Sequence, residues 1–304
     1  MAVAETTLTR KVVERASAGE RSRELLFKAA LLLCMFIAML FLGALVVDVT
    51  LDGASFLSWD FVTDYPSRIS PEIAGVRSAL LGTLLLMVVV AAFIIPVGVA
   101  AAMYLEEYAD NDRWFNRLIE VNIQNLAAVP SVVYGILGLA FIVRGPVKIW
   151  GLGEGNPILL AGALTLGLLV LPVVIIVARE AIRAVPPSIR EGSLALGATQ
   201  WQTIYKQVLP GALPGIATGV ILALSRAIGE TAPLLLVGAG SFLLFDPSVD
   251  GRFSALPIQI FGYVGEARSE FKDLAAGAIL VLLAILLVMN SFAIYLRNRY
   301  ETKW

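Results

Sequence analysis

The sequence lacks histidine altogether and has little cysteine or charge, and each shortage excludes a class of protein. Among 304 residues there are no histidines, one cysteine and only 15% charged residues. Histidine is the commonest general base and a frequent metal ligand, so its absence argues against a catalytic site. The single cysteine, Cys34, excludes an intrachain disulfide. A net charge of −1 leaves no basic footprint for nucleic acid.

Hydrophobic residues are abundant instead, and they lie in long runs. They make up 58% of the chain, whereas soluble domains are closer to half apolar. Runs of roughly 20 apolar residues are long enough to cross a bilayer as helices. The sequence therefore predicts an all-α integral membrane protein with six transmembrane helices, at 29–47, 79–105, 126–143, 157–178, 211–240 and 274–296. The third run is the shortest, and its helix is predicted to begin earlier, near Leu118.

Basic residues at both ends of the chain orient these helices by the positive-inside rule. Residues 1–28 are predicted to be a cytoplasmic N-terminal segment without a cleavable signal peptide. Residues 29–299 are predicted to form one membrane domain of six helices, and residues 300–304 a cytoplasmic tail. The loop 179–210 is also basic and predicted to be cytoplasmic. The loops 48–78, 144–156 and 241–273 then fall outside.

Two features of the loops leave questions open. Residues 106–117 are predicted to be cytoplasmic, yet they include the acidic residues Glu106, Glu107, Asp110 and Asp112. The outer loops contain aromatic residues that favour either an interfacial belt or a surface for an external partner. These aromatic residues are Trp59, Phe61, Tyr65, Phe253, Phe261 and Tyr263.

Arg226 and Glu230 are charged residues inside the fifth apolar run. At 1.5 Å per residue, Arg226 lies about 22 Å from the start of that run, where a charge costs about 2.5–3.5 kcal/mol. Their i,i+4 spacing allows them to pair on one helix face. An intramembrane charge indicates function by default, and a guanidinium suits an oxyanion because it keeps its charge and several donors. The alternative is an ion pair that only fixes helix register.

Small residues and prolines in the membrane runs also allow two interpretations. Gly215, Gly219, Ala223 and Ala227 recur at four-residue steps, as in closely packed membrane helices. They indicate either packing within the subunit or a seam against a second subunit. Prolines at 96, 130 and 172 predict kinks, which in transporters often open onto cavities. Polar residues around the Pro130 kink, at 125, 131 and 134, could line a path.

The loop 179–210 predicts a compact pair of short helices. Ser188 is a candidate N-cap, and Glu191 three residues later completes a capping box. The first helix, 189–196, is predicted to stop at Gly197, and the second, 199–208, to end at Pro210. Such a projection could insert into a groove on another protein. Because it contains Trp201 and Tyr205, it could instead lie on lipid.

These residues carry a family resemblance. The segments NIQNLAAVPSVVYGILGLA, EGSLALGATQWQTIYKQVLP and SRAIGETAP resemble PstA-type permeases of phosphate ABC importers over most of the chain, about 75–299. The resemblance implies a type I ABC importer fold and a permease subunit that forms half of a phosphate pathway. The chain departs from the general pattern at Gly192 and Ser193, where two alanines are expected, and at Gln207, where isoleucine is expected.

The resemblance also implies roles for individual residues. The coupling helix, which would dock an ATPase, would contain Glu191, Gly192, Ser193, Ala195, Leu196 and Gly197. The substrate pathway would contain Arg226, Glu230, Thr231, Asn125, Ser131 and Tyr134.

The implied partners are a PstC-type permease subunit, two ATPase subunits, an extracytoplasmic phosphate-binding protein and the lipid bilayer. No cofactor is expected on this chain, and ATP and Mg would bind the partner ATPase, because no Gly-rich loop ending in Lys-Ser or Lys-Thr is present. A permease for molybdate or sulfate stays an alternative. A gradient-driven transporter is less favoured, since paired broken helices are not predicted, and a membrane enzyme is disfavoured by the missing histidine.

Overall fold

The computed structural model describes residues 18–110, 113–146 and 152–300, and no β-strand occurs among them. The predicted basic leader up to residue 17 and the tail residues 301–304 lie outside this range. The helices are α1 (Ala18–Gly53), α2 (Trp59–Thr63), α3 (Arg77–Met103), α4 (Trp114–Ala127), α5 (Ser131–Leu137), α6 (Leu159–Arg183), α7 (Pro187–Ala195), α8 (Gln200–Thr203), α9 (Leu209–Ile228), α10 (Ala232–Val237), α11 (Leu256–Val264) and α12 (Glu270–Tyr300). Residues 18–48 form a helical unit of their own, separate from 49–300.

Helices form at all six predicted membrane runs, but the third and the fifth are each broken into two. Within the described ranges, five helices are long and apolar enough to cross a membrane: α1, α3, α6, α12 and the helix that runs from α8 through α9. The third predicted run instead belongs to α4 and α5, which are bent by 105° at the break between them. Counted as one span, they complete the six. The helix begins at Trp114, earlier than the expected Leu118.

Prolines interrupt these helices less than their sequence positions suggest. Pro96 and Pro172 lie inside α3 and α6, which continue through them. The predicted helix end at Pro210 is wrong, because α8 passes through a π-helical turn, Ile204–Val208, directly into α9. A π turn changes the local hydrogen-bond spacing to i→i+5, and Pro210 sits in the first turn of α9, where proline is tolerated.

The core of residues 49–300 lies between α3, α6 and α9. Buried aliphatic residues from each helix meet there, including Val90, Leu166 and Val220. Gly219 is required at this packing, because a Cβ atom would overlap the side chain of Val177 on α6. Gly219 therefore packs within the subunit, whereas Gly215 is exposed, so the seam against a second subunit stays a prediction.

A second buried cluster lies at the end of this unit where α3 and α12 begin. It contains Phe61 and Tyr263, which are 4% and 0% exposed, and the Tyr263 hydroxyl donates a hydrogen bond to the Gly75 carbonyl over 2.7 Å. Phe253, 1% exposed, belongs to the core between α3, α6 and α9. Both interpretations of these three aromatic residues, as a belt or as a docking surface, are wrong because they are core residues. Trp59 remains 80% exposed and fits a surface role.

Candidate functional site

A helix break divides the fifth predicted run beside its charged pair. The run 211–240 was expected to be one helix, but α9 ends at Ile228 and α10 begins at Ala232. The backbone N–H of Gly229 donates to the Arg226 carbonyl over 3.1 Å and closes the last turn of α9. Arg226 therefore lies at a helix end, where a positive charge also complements the partial negative charge of the helix dipole.

Arg226 and Glu230 form the pair that their spacing predicts. Arg226 Nε lies 3.6 Å from Glu230 Oε1, and the two side chains are 53% and 18% exposed. The Nε edge of the guanidinium faces the carboxylate, and the side chain is half-exposed in this single subunit. Because a guanidinium has several donors, an anion can compete chemically with Glu230 for Arg226.

A second break lies between α4 and α5 at Pro130. Asn125 is in the last turn of α4, and Ser131 begins α5. The buried Tyr134 hydroxyl donates across the bend to the Leu126 carbonyl over 2.9 Å. Tyr134 therefore braces the bend, and its position beside a path stays a prediction.

The two breaks are neighbours in space. Helix α5 packs on α10, and a Cβ atom added at Gly135 would lie 2.8 Å from the Cα atom of Pro233. Thr231 directly precedes α10. The structure thus packs α5, which carries Ser131 and Tyr134, against α10, which follows Thr231, and the sequence did not predict this pairing.

Ser225 and Asn290 form a polar contact that sequence reasoning missed. Ser225 Oγ lies 2.7 Å from Asn290 Oδ1 and joins α9 to α12 one residue before Arg226. The available signal was an amide residue inside the apolar run 274–296. Such interhelical polar contacts hold membrane helices together, so this one fixes the end of α9 that carries Arg226.

A cavity of about 350 Å³ lies between the α4–α5 bend and α6, but its chemistry does not suit an anion. Apolar side chains such as Leu126, Phe141 and Ile175 line it. The hydroxyl groups of Tyr134 and Thr165 in its wall already donate to backbone carbonyls. The break beside Arg226 is therefore the better candidate for an oxyanion.

The predicted pair of short helices is present, and residues 187–208 are called the knob below. Gly197, with φ +85°, reverses the chain between α7 and α8. The predicted capping box at Ser188 and Glu191 is wrong, because α7 begins at Pro187 without a side-chain cap. A capping box occurs instead in α8, where Thr199 and Gln202 each accept a hydrogen bond from the other's backbone N–H.

The knob is exposed along the segment predicted to dock a partner. Helix α7 buries none of its residues, Glu191, Gly192 and Ala195 are exposed, and Leu196 is 90% exposed. Ser193 Oγ lies 2.9 Å from Thr203 Oγ1 and ties α7 to α8. An apolar tip on a braced projection is typical of a protein-interaction surface.

Two of the four acidic residues that fitted poorly in loop 106–117, Glu106 and Glu107, have partners beside the knob, whereas Asp112 lies outside the described residues. Arg183 Nε lies 3.0 Å from Glu106 Oε1, and Arg190 Nη2 lies 2.8 Å from Glu107 Oε1. The carboxylates thus neutralise arginines of the loop 179–210. Only the tertiary structure brings these two loops together.

Known proteins resemble this chain in sequence and fold. The family described as binding-protein-dependent transport system inner membrane component matches residues 94–302. The phosphate transport system permease protein PstA of Mycobacterium leprae is 36% identical over 239 residues, 77% of this chain and 75% of that protein. The permease protein PstC of Haemophilus influenzae is 28% identical over 92% of this chain and 93% of its own length. A bacterial alginate ABC transporter, solved with an alginate pentasaccharide-bound periplasmic protein, has a TM-score of 0.67 at 18% identity, covering 93% and 97% of the two chains.

Proposed function

The chain belongs to the family of binding-protein-dependent transport system inner membrane components, with a type I ABC importer permease fold, and on this premise we propose that it conducts phosphate. It is a non-catalytic permease subunit. In this proposal it forms half of the translocation pathway of an ATP-driven phosphate importer. The observation that carries the substrate is the 36% identity to a phosphate transport permease over 239 residues.

The charged break is the proposed contact with phosphate. Arg226 keeps 53% of its side chain exposed, and Glu230 lies 3.6 Å from it. A guanidinium binds phosphate oxygens through several donors in a fixed plane. In the proposed cycle phosphate competes with Glu230 for Arg226, while Thr231, Asn125, Ser131 and Tyr134 lie along the pathway.

The knob is the proposed contact with the ATPase. Its exposed residues Glu191–Gly197 would enter a groove of an ATPase subunit, and movement of that subunit would be transmitted into the membrane helices. ATP and Mg would bind two such ATPase subunits. Both termini and the knob would then face the cytoplasm.

A second permease subunit and a binding protein complete the proposed assembly. The 28% identity to a PstC permease over 92% of the chain supports a partner of similar fold, so that the two related subunits enclose the pathway. An extracytoplasmic phosphate-binding protein would deliver the substrate to the ends of the helices opposite the knob.

Labelled phosphate uptake in cells without their own permease of this type tests the proposal. Wild type, Arg226→Ala and Arg226→Lys are compared at equal membrane abundance with the partner subunits coexpressed. We expect wild type to restore uptake and Arg226→Ala to lose it, with Arg226→Lys intermediate, because lysine keeps the charge without the planar fork. Uptake of molybdate or sulfate instead of phosphate by an assembled wild type contradicts the substrate. Normal phosphate uptake by Arg226→Ala contradicts the site.

A further inference from the structure

Glu107, just after the end of α3, is hydrogen-bonded to both helices of the knob. The turn Tyr104–Tyr108, which follows α3, is π-helical. Arg190 of α7 donates two hydrogen bonds to Glu107 Oε1, from Nε over 3.0 Å and from Nη2 over 2.8 Å. The backbone carbonyl of the same residue accepts a hydrogen bond from Gln200 Nε2 of α8 over 2.7 Å. Both helices of the knob are thus attached to a single position after α3.

Arg190 is anchored on its other side as well. Its guanidinium donates to the carbonyls of Ile182 and Val185, over 2.9 and 2.6 Å. These carbonyls belong to the end of α6 and to the segment before α7. The arginine therefore connects the knob, α6 and the turn after α3 in one rigid fork, which lysine could not reproduce.

This ion pair is sheltered from solvent. The Arg190 side chain is 22% exposed and that of Glu107 is 10% exposed. Exposed ion pairs contribute little because solvent screens them, whereas a sheltered, multiply hydrogen-bonded pair resists separation. For comparison, Arg113 and Asp110 at the same end are 76% and 54% exposed.

The neighbouring carboxylate connects the same turn to the rest of the bundle. Glu106 Oε1 lies 3.0 Å from Arg183 Nε, and Glu106 Oε2 lies 3.5 Å from Arg179 Nε. Arg179 Nη1 also lies 3.0 Å from Glu120 Oε1 on α4. Glu106 and Glu107 are therefore adjacent in one π turn, but Glu106 contacts arginines of α6 and Glu107 contacts the knob.

Packing holds α7 to the bundle only weakly, because none of its residues is buried and Ile189 is a partly buried contact with the core. A push on its exposed face therefore passes through side-chain hydrogen bonds, this contact and the covalent chain. We propose that Glu107 is a positioning residue for transport: with Arg190 and Gln200 it transmits movement of the knob to α3. This inference rests on the proposed function, and adds the point at which ATPase movement enters the membrane helices.

The test uses the complete transporter, with its partner subunits, in proteoliposomes. Glu107→Gln keeps the size of the side chain but removes the charge, and Arg113→Gln removes an exposed arginine at the same end as a control. The measured quantity is phosphate taken up per ATP hydrolysed. We expect this ratio to fall about 10-fold in Glu107→Gln, less than for a fully buried pair because Arg190 retains 22% exposure. We expect Arg113→Gln to keep the wild-type ratio.

A reducible covalent link between positions 107 and 190 distinguishes loss of transmission to α3 from loss of protein stability, because the linked and unlinked states are measured on the same sample. Glu107→Cys and Arg190→Cys are combined in a Cys34→Ser background and joined by a short bis-methanethiosulfonate linker. We expect the linked protein to recover the ratio and to lose it again when the linker is reduced. A wild-type ratio in Glu107→Gln, or no recovery with the linker, overturns the inference.

A measurement that needs no substrate distinguishes failure of the inference about Glu107 from failure of the proposed function. Spin labels at Val88 of α3 and Leu222 of α9, exposed by 65% and 59%, report nucleotide-dependent movement by their distance distribution. We expect Glu107→Gln to suppress a shift that wild type shows. If wild type shows the shift but accumulates no phosphate, the proposed substrate fails while the role of Glu107 stands. An equal shift in Glu107→Gln overturns the role of Glu107.

Discussion

At the scale of single residues, a few positions have conformations or partners that a substitution changes directly. Gly197 has φ +85°, a region that costs other L-residues about 1–2 kcal/mol. Asp246 lies between two polar partners at the end opposite the knob. Each therefore gives a prediction whose physical cause is a single group.

Substitution of Gly197 should uncouple transport without preventing membrane insertion. Alanine strains the reversal between α7 and α8, and proline cannot adopt a positive φ at all. We expect ATP-driven phosphate uptake to fall in Gly197→Ala and to be abolished in Gly197→Pro, at equal membrane abundance. Gly155, with φ +81° and open space around it, provides a control with the same strain away from the knob. Equal losses in Gly155→Ala and Gly197→Ala would argue against a special role for the knob.

Asp246 should stay ionised to an unusually low pH. Arg77 donates to it from Nε and Nη2, over 2.9 and 2.7 Å, and the Tyr65 hydroxyl donates over 3.2 Å. These hydrogen bonds, chiefly those from Arg77, lower the pKa of the Asp246 carboxyl below its ordinary value. The contact is therefore present above the ordinary aspartate pKa of about 3.9 and is lost only as pH falls through the lower, folded-state pKa.

Difference infrared spectroscopy of wild type against Asp246→Asn measures this directly. We expect the carboxylic acid band of Asp246 to develop only below about pH 3.9, the ordinary aspartate pKa. A band that develops at or above that pH contradicts the Arg77 contact.

At the scale of elements, the exposed α7 and the packed pair α5 and α10 respond to added volume in opposite ways. Helix α7 has no buried residue, so a larger side chain on its exposed face meets only a partner. Gly135 of α5 lies against Pro233 and Leu236 of α10, so a larger side chain there disturbs the subunit itself.

A bulky residue at Ala195 should block the ATPase and leave the permease folded. Ala195 is exposed in α7, and tryptophan at this position meets no close packing within the subunit. We expect Ala195→Trp to reduce copurification of the ATPase subunit and ATP-driven uptake together. Arg117→Trp, an exposed site on α4, is the control. Normal copurification with Ala195→Trp would count against docking by the knob.

Valine at Gly135 should destabilise the junction of the two helix breaks. A Cβ atom there would approach the Cα atom of Pro233 to 2.8 Å, and overpacking of this kind costs about 1–3 kcal/mol. We expect a lower unfolding temperature in detergent for Gly135→Val. Ile136→Val, at a site 54% exposed on the same helix, should leave it close to wild type. Equal stability of both variants would mean that α5 and α10 do not pack closely.

At the scale of the whole molecule, the contacts between individual residues do not determine which end of the bundle faces the cytoplasm. The predicted topology places both termini and the knob in the cytoplasm. With both termini on one side, the chain has to cross the membrane an even number of times. The α4–α5 pair, bent by 105°, must therefore count as the sixth crossing.

Labelling of single cysteines should reveal opposite sides for the two ends of the bundle. In a Cys34→Ser background, a membrane-impermeant maleimide should label Leu244→Cys in intact cells, since Leu244 is 68% exposed in a predicted outer loop. It should label Leu196→Cys, at the 90% exposed tip of the knob, only after lysis. Labelling of both positions in intact cells would contradict the topology.

The sequence alone determined the features that depend on local chemistry. The lengths of the apolar runs predicted six membrane helices, because a bilayer demands internal hydrogen bonding over a fixed thickness. Five of the six contain a single helix long and apolar enough to cross a membrane. The i,i+4 spacing predicted the contact of Arg226 with Glu230, and Gly197 predicted the end of α7. These features depend on residues close together in the chain.

Tertiary structure decided what depends on residues far apart in the chain. The break after Ile228, its packing beside the Pro130 bend, and the partners of Glu106 and Glu107 could not be read from local pattern. The same holds for Phe61, Phe253 and Tyr263, which are core residues although their loops suggested a surface. Burial and ion pairing are set by which segments meet, and a sequence pattern describes only the neighbours along its own helix.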